Sequence, residues 1–274
     1  MSAFKDRIAF ITGAGSGIGA SIAAALGREG AIVVCTDRDP AAATRTSQDI
    51  RGAGGRASAH VLDVTDAAQV EALVRAVVED HGRLDLMFNN AGISVAGEAR
   101  DLALEHWRAV LDVNLMGVVH GVHAAYAQMV RQGSGHIINI ASLAGLIPFP
   151  TNVPYATSKH AVVGLSLSLR AEGADLGVKV SAVCPGFVQT GIFSATPFVN
   201  VDRERAMRNL PFTPLPSAVA ADAILRGITR NDALIVFPGY ARWIWRLHRL
   251  RAALLDPFHL KGIRDMRKFR LGGD

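Results

Sequence analysis

The apolar run Arg7 to Ile11 leads straight into Thr12-Gly13-Ala14-Gly15-Ser16-Gly17-Ile18-Gly19, after which Ile22, Ala25 and Leu26 open a helix. Strand, glycine turn and helix in that order leave few folds open. Glycines let the backbone approach a pyrophosphate closely, and the free N–H groups and positive dipole of the helix N-terminus favour the anion. Gly13, Ser16, Gly17, Ile18 and Gly19 are therefore candidate contacts for a dinucleotide. A tight turn that only needs left-handed backbone angles would also use glycine. The strand before it and the helix after it favour the phosphate reading.

The rest of the chain continues this pattern. Short runs rich in Val, Ile and Ala alternate with longer segments of helical period, as βαβ units in a parallel sheet do. Seven strands are expected, near Arg7 to Ile11, Ala31 to Thr36, Ala57 to Leu62, Leu84 to Phe88, His136 to Ile140, Lys179 to Val183 and Ala233 to Phe237. Between the third and fourth, Thr65 or Asp66 can cap a helix in which Val70, Leu73, Val74, Val77 and Val78 share a face, and Gly82 stops it. The expected fold class is α/β, a doubly wound, seven-stranded parallel sheet with helices on both faces. No linker or low-complexity tract interrupts residues 1–239, which read as a single domain. Residues 186–216, with Pro197, Pro211, Pro214 and Pro216, form the longest irregular stretch, which suits a lid.

Composition excludes several functions. Half of the 274 residues are apolar and 19% are charged, which fits a globular protein and not a disordered one. The net charge of +5 comes from residues 240–274, where nine Lys/Arg stand against three Asp/Glu, so the rest is nearly neutral and presents no basic reading surface for nucleic acid. Cys35 and Cys184 lie in apolar runs, with no disulfide framework or CxxC pair. With no secretory leader and no apolar run of spanning length, a cytoplasmic location is expected. No metal is expected either: His120 and His123 are three apart on a helix, yet no acid lies between Asp112 and Glu172.

Three further places carry chemistry. The second strand ends at Asp37-Arg38, where an acid can bond the adenosine ribose hydroxyls and repel a 2′-phosphate, favouring NAD; Arg38 is the group that would receive such a phosphate, and so points toward NADP. Tyr155 and Lys159 are four apart in a segment whose Ala161, Val162, Leu165 and Leu169 give it helical period, so both project from one face. An ammonium beside a phenol, with the positive charge of an oxidised nicotinamide, lowers the phenol toward an acid/base range. Ser142, just past the fifth strand, is placed to bond a carbonyl oxygen.

From Phe4 to Gly239 the sequence resembles the short-chain dehydrogenase/reductase (SDR) family. The likeness rests on the glycine turn, Asp63-Val64, Asn89-Asn90-Ala91-Gly92, Asn114, Ser142, Tyr155, Lys159 and Pro185-Gly186-Phe187-Val188-Gln189-Thr190, in that order. The resemblance implies a Rossmann-type sheet of order 3-2-1-4-5-6-7 and an oxidoreductase that moves hydride between nicotinamide and a secondary alcohol or ketone. It implies Tyr155 as general acid/base, Lys159 as the residue that tunes it and holds the nicotinamide ribose, and Ser142 as the group that positions the substrate oxygen. Asn114 would distort its helix and hold a relay water. Asp63 and Val64 would flank the adenine, with further cofactor contacts from Asn90, Ala91 and Gly92. Pro185, Gly186, Val188 and Thr190 would face the nicotinamide side. A homodimer or homotetramer built on the helices containing Asn114 and Tyr155 is also implied.

The substrate is expected to be apolar, because Leu146-Ile147-Pro148-Phe149-Pro150 and Phe187, Ile192, Phe193, Phe198 and Phe212 are placed to wall the site. A rival is an NADPH-dependent 3-oxoacyl thioester reductase, with Arg203, Arg205 and Arg208 receiving an acidic carrier protein; Asp37 speaks against it. A silent dinucleotide-binding protein would keep the glycine turn but not Ser142, Tyr155 and Lys159 together. Residues 240–274 read as a basic, amphipathic helical extension. Trp243, Leu247, Leu250 and Leu254 form its stripe, to be buried against the domain, against another subunit, or at a membrane surface through residues 240–270.

Overall fold

The computed structural model describes residues 2–208 and 212–271, so Pro211 lies outside the described residues, as does the side chain of Phe193. The strands are β1 (Ile8–Thr12), β2 (Ile32–Asp37), β3 (Arg56–Val61), β4 (Leu86–Asn89), β5 (Gly135–Ile140), β6 (Val178–Pro185) and β7 (Leu234–Phe237). The helices are α1 (Gly17–Arg28), α2 (Pro40–Gly52), α3 (Ala67–His81), α4 (Leu104–Leu111), α5 (Gly117–Gln132), α6 (Val153–Gly173), α7 (Ile192–Ala195), α8 (Arg203–Arg208), α9 (Ser217–Thr229), α10 (Gly239–Leu250) and α11 (Asp256–Arg267). All pairings are parallel, in the order β3-β2-β1-β4-β5-β6-β7. Chain direction across the sheet reverses between β1 and β4, and a crevice opens beyond their carboxyl ends, where ligands bind in sheets of this kind.

Local chemistry sets the element boundaries. Asp39 starts α2 by accepting the N–H groups of Ala41 and Ala42, and Asp66 starts α3 by accepting that of Gln69. Gly82, at φ 73°, closes α3 by returning its N–H to Val78, a backbone angle that a side chain would strain. Val70, Val74 and Val77 are the buried face of α3, as their spacing predicts. β1 is buried along its whole length, as a strand covered on both faces must be. Packing then divides by face. Ile22 and Leu26 of α1 join Ala221 and Ile224 of α9 on one side, and Val70 and Val74 of α3 join Ala125 and Met129 of α5 on the other. Val162 and Val163 of α6 and Ala241 of α10 extend the second side over Ala182 and Cys184 of β6. A buried polar chain ties α6 to the sheet, Asn89 donating to Asn139 and Asn139 to Ser166 at 2.8 and 2.9 Å.

The stretch 186–216 contains two short helices, α7 and α8. The end of the chain differs more from expectation. α10 buries Ala241 and half-buries Tyr240, Ile244 and Trp245, while the stripe Trp243, Leu247, Leu250 and Leu254 stays exposed. Tyr240 fixes this rotation: its hydroxyl accepts the Phe187 N–H at 2.7 Å and its ring stacks on Phe212 at 4.0 Å. α11 runs back across the molecule. Arg267 pairs with Glu98, Arg270 pairs with Glu98 and Asp101, and Phe269 and Leu271 join Asp202 and Asn200 through the backbone.

Candidate active site

The glycine turn is knotted to the end of β4. The Thr12 hydroxyl donates to the Phe88 carbonyl and accepts the N–H groups of Asn90 and Ala91 at 2.9 and 3.0 Å. The Asn90 amide donates back to the carbonyls of Thr12 and Gly13 at 2.8 and 3.1 Å. Gly13 and Gly17 have φ of 64° and 54°, which only glycine adopts without strain. A Cβ on Gly19 would lie 2.2 Å from the Gly13 carbonyl oxygen, so helix α1 can rise directly under the turn only without one. A Cβ on Gly17 would come within 3.0 Å of Thr190, bringing the loop after β6 over the start of α1.

Asp37, at the end of β2, accepts the Gly15 N–H at 2.9 Å and the Asp39 N–H at 3.1 Å, which leaves acceptor capacity on both oxygens. The backbone and hydroxyl of Thr65 hold Asp63 below the usual carboxylate range, with a smaller contribution from Arg38. His120 donates through Nδ1 to the Val64 carbonyl at 2.9 Å, so it is a structural tie between α5 and the loop after β3.

Ser142, Tyr155 and Lys159 converge because the turn that Ser142 opens packs on α6. Ser142 accepts the Ala144 N–H at 3.1 Å, and a Cβ on Gly145 would lie 2.5 Å from the Lys159 carbonyl. Lys159 is 3% exposed, its ammonium donating to the Ile140 carbonyl at 2.8 Å and lying 5.5 Å from the Tyr155 ring centre. Burial pulls Lys159 down to about 8, and burial pushes the Tyr155 phenol above its ordinary value while the Ser142 hydroxyl opposes the rise. In the chain by itself burial decides, and the phenol stands as an acid. Cys184, beside them, is pushed up to about 12 by burial and stays a neutral thiol.

Asn114 lies in a π-helical turn, Asp112–Met116, and is fully buried. It clamps Ile93 through both backbone groups, at 2.8 and 2.9 Å, and donates to Ser158 at 3.2 Å. A single cavity of about 1930 Å³ joins these parts. Gly13, Ser16, Gly17 and Ile18 line it, as do Asp37, Arg38, Asp63 and Val64. So do Asn90, Ala91 and Gly92, Ser142, Tyr155 and Lys159, and Pro185, Gly186, Val188 and Thr190. Gly19 and Asn114 stand behind its wall.

Ile147, Phe149, Phe187, Ile192, Phe198 and Phe212 face the cavity with Pro148 and Pro150, whereas Leu146 packs into the core over β6. The sequence reading missed the contribution of the chain end: Ile244, Leu255, Phe258, Ile263, Met266 and Phe269 also line the cavity. The only signal was the i, i+3, i+4 recurrence of apolar residues after 240, which does not say which face turns inward. Arg205 and Arg208 pair with Asp202 and Glu204. Among the described residues no cluster of His, Cys, Asp or Glu suits a metal ion.

A family model described as short chain dehydrogenase matches residues 7–197. "Probable oxidoreductase EphD" of Mycobacterium tuberculosis is 43% identical over 196 residues, 71% of this chain; the chain spans 33% of that relative's length. Cyclohexanol dehydrogenase of Acinetobacter sp. strain SE19 is 38% identical over 192 residues, covering 70% of this chain and 76% of its own. A crystal structure of a short chain dehydrogenase/reductase from Burkholderia phymatum in complex with NAD is 32% identical, with a TM-score of 0.84 over 93% of this chain and 96% of its own.

Proposed function

This chain belongs to the short-chain dehydrogenase family, and from that premise we propose that it interconverts a large, apolar secondary alcohol and its ketone with NAD(H), Tyr155 moving the proton. The observation that carries the reading is that the glycine turn, Asp37, Ser142, Tyr155, Lys159 and an apolar wall share one cavity. The turn fits a dinucleotide: positive-φ glycines bare the backbone at the start of α1, and Asp37 keeps oxygens available for ribose hydroxyls. Asp63, Val64, Gly186, Val188 and Thr190 line the same cavity, the first two suited to flank an adenine and the other three to face a nicotinamide. The nicotinamide supplies or accepts a hydride when bound.

The chain's own residues handle the oxygen. In reduction, the Tyr155 hydroxyl donates its proton to the carbonyl oxygen as Ser142 donates a hydrogen bond to it; in oxidation both steps run backwards. The raised phenol favours the protonated, donating form, and the Lys159 cation stabilises the phenolate left behind. Asn114 acts at one remove, holding Ile93 and Ser158 around this centre. Exposed Met116 and Leu167, on the helices that carry Asn114 and Tyr155, support assembly into a homodimer or homotetramer there. The test is a panel of alcohols and ketones with NAD(H) and NADP(H), followed at the reduced-nicotinamide band. Lipophilic alcohols should turn over best with NAD. Tyr155→Phe should lose about a hundredfold or more of that activity while still binding NADH. A variant that keeps more than about a tenth would remove Tyr155 from the proton step.

A further inference from the structure

We propose that the solvent-facing side of α10 docks on an anionic lipid surface. The helix presents two unlike faces. Inward, Ala241 is buried and Ile244 lines the cavity; outward, Trp243 is 72% exposed, Leu247 41% and Leu250 81%, with Leu254 just beyond at 46%. Arg242, Arg246 and Arg249 recur at the same steps one position earlier, so a cationic row runs beside the apolar row on the exposed half of one helix. Residues 239–255 contain no Asp or Glu, and among the described residues no carboxylate pairs with Arg242, Arg246, Arg249 or Arg251.

Large side chains left in water beside arginines that no carboxylate neutralises, Arg249 lying over the Trp245 ring, fit a partner that is apolar within and negative at its face. An anionic bilayer has both: Trp sits at headgroup depth, Leu reaches the acyl boundary, and guanidinium groups bond phosphates. A second copy of this chain fits worse, since two-fold pairing would set arginine row against arginine row with no acid from either helix. No helix among the described residues is long and apolar enough to cross a membrane, so α10, at 12 residues, lies on the surface. Phe258, four residues beyond Leu254, is 53% exposed and also lines the cavity, so the segment that follows the docking face reaches the cavity's rim. A lipid-dissolved substrate would then reach the site without crossing water. That consequence rests on the proposed apolar substrate, whereas the docking does not, and a binding assay without turnover separates the two.

The experiment is co-sedimentation of the full chain with phosphatidylcholine vesicles, with and without about 30% phosphatidylglycerol, in low salt and in about 0.5 M salt. Binding is expected only to the anionic vesicles, with a blue shift of Trp fluorescence, and should fall about tenfold or more in high salt. The pair Trp243→Ser/Leu250→Ser, and separately the triple Arg242→Gln/Arg246→Gln/Arg249→Gln, should each weaken it about tenfold or more, with the oligomer size unchanged by light scattering. No binding to anionic vesicles, or binding that both variants retain in full, would overturn the proposal. So would self-association lost in Trp243→Ser/Leu250→Ser without any vesicle binding, which would make this face a contact between copies.

Discussion

Lowering the pH should weaken the strand that leads to Ser142. His136, the second residue of β5, is 5% exposed and bonds Ser181 through Nε2 at 2.9 Å. The Ser181 hydroxyl spends its own hydrogen on the Asp232 carbonyl at 2.6 Å, so Nε2 must carry a proton and donate it to Ser181. Burial pulls His136 from 6.5 to about 3, with Lys179 and Arg170 adding to the drop. The unfolded chain thus binds a proton that the folded one refuses between those values, and stability present above pH 6.5 is lost as pH falls toward 3. From pH 7 to pH 5 this one residue costs about 2 kcal/mol, at 1.36 kcal/mol per pH unit below the unfolded value. That is roughly 4–8 °C in Tm. Denaturant unfolding at both pH values, for the natural protein and for His136→Gln, whose amide can still donate to Ser181, measures it. The variant should lose about 2 kcal/mol less on acidification. An identical loss in both, or an NMR titration in which His136 protonates above about pH 5, would refute the reasoning.

Three other outcomes are expected. Asp37→Ala should narrow the preference for NAD(H) over NADP(H) by about tenfold, read as the ratio of kcat/KM values; equal efficiency in the unmodified protein would mean that Arg38 outweighs Asp37. Lys159 is cationic below about 8 and neutral above it, so the dissociation constant for NADH, measured by fluorescence, should rise several-fold from pH 7 to pH 9, and a flat profile would count against a charge-based hold. Arg270→Ala removes its pairs with Glu98 and Asp101, leaving the chain end held to Glu98 by Arg267 alone, and should raise KM for bulky apolar substrates by about threefold or more with kcat little changed; an unaltered KM would detach Arg270 from substrate binding.

The sheet was legible because period and composition agree along most of it. β1 follows the run Arg7 to Ile11 to within a residue, and Asp66 and Gly82 bound α3 where the periodicity put it. Its strand order came from the resemblance, since spacing alone does not order parallel strands. The glycine turn, Ser142, Tyr155 and Lys159 were legible as types at fixed spacing. Their second partners were not. That Thr12 and Asn90 knot the turn to β4, or that the Lys159 ammonium is taken by the Ile140 carbonyl, depends on backbone groups brought together from distant parts of the chain. The rotation of α10 was hidden for a related reason. Two apolar sets compete on that helix, and Tyr240, through its bond to Phe187 and its stack on Phe212, decides which one turns inward.

The family match stops at residue 197, while the cavity draws Phe212, Ile244, Leu255, Phe258, Met266 and Phe269 from beyond it. Part of the apolar wall thus lies outside the stretch that carries the family likeness, facing Ile147, Phe149 and Phe187 within it. Exchanging the stretch after residue 197 between relatives, with the sheet and the Tyr155 centre kept intact, becomes a route to new substrates. A relative's name, transferred on likeness over residues 7–197, leaves these lining residues out of account.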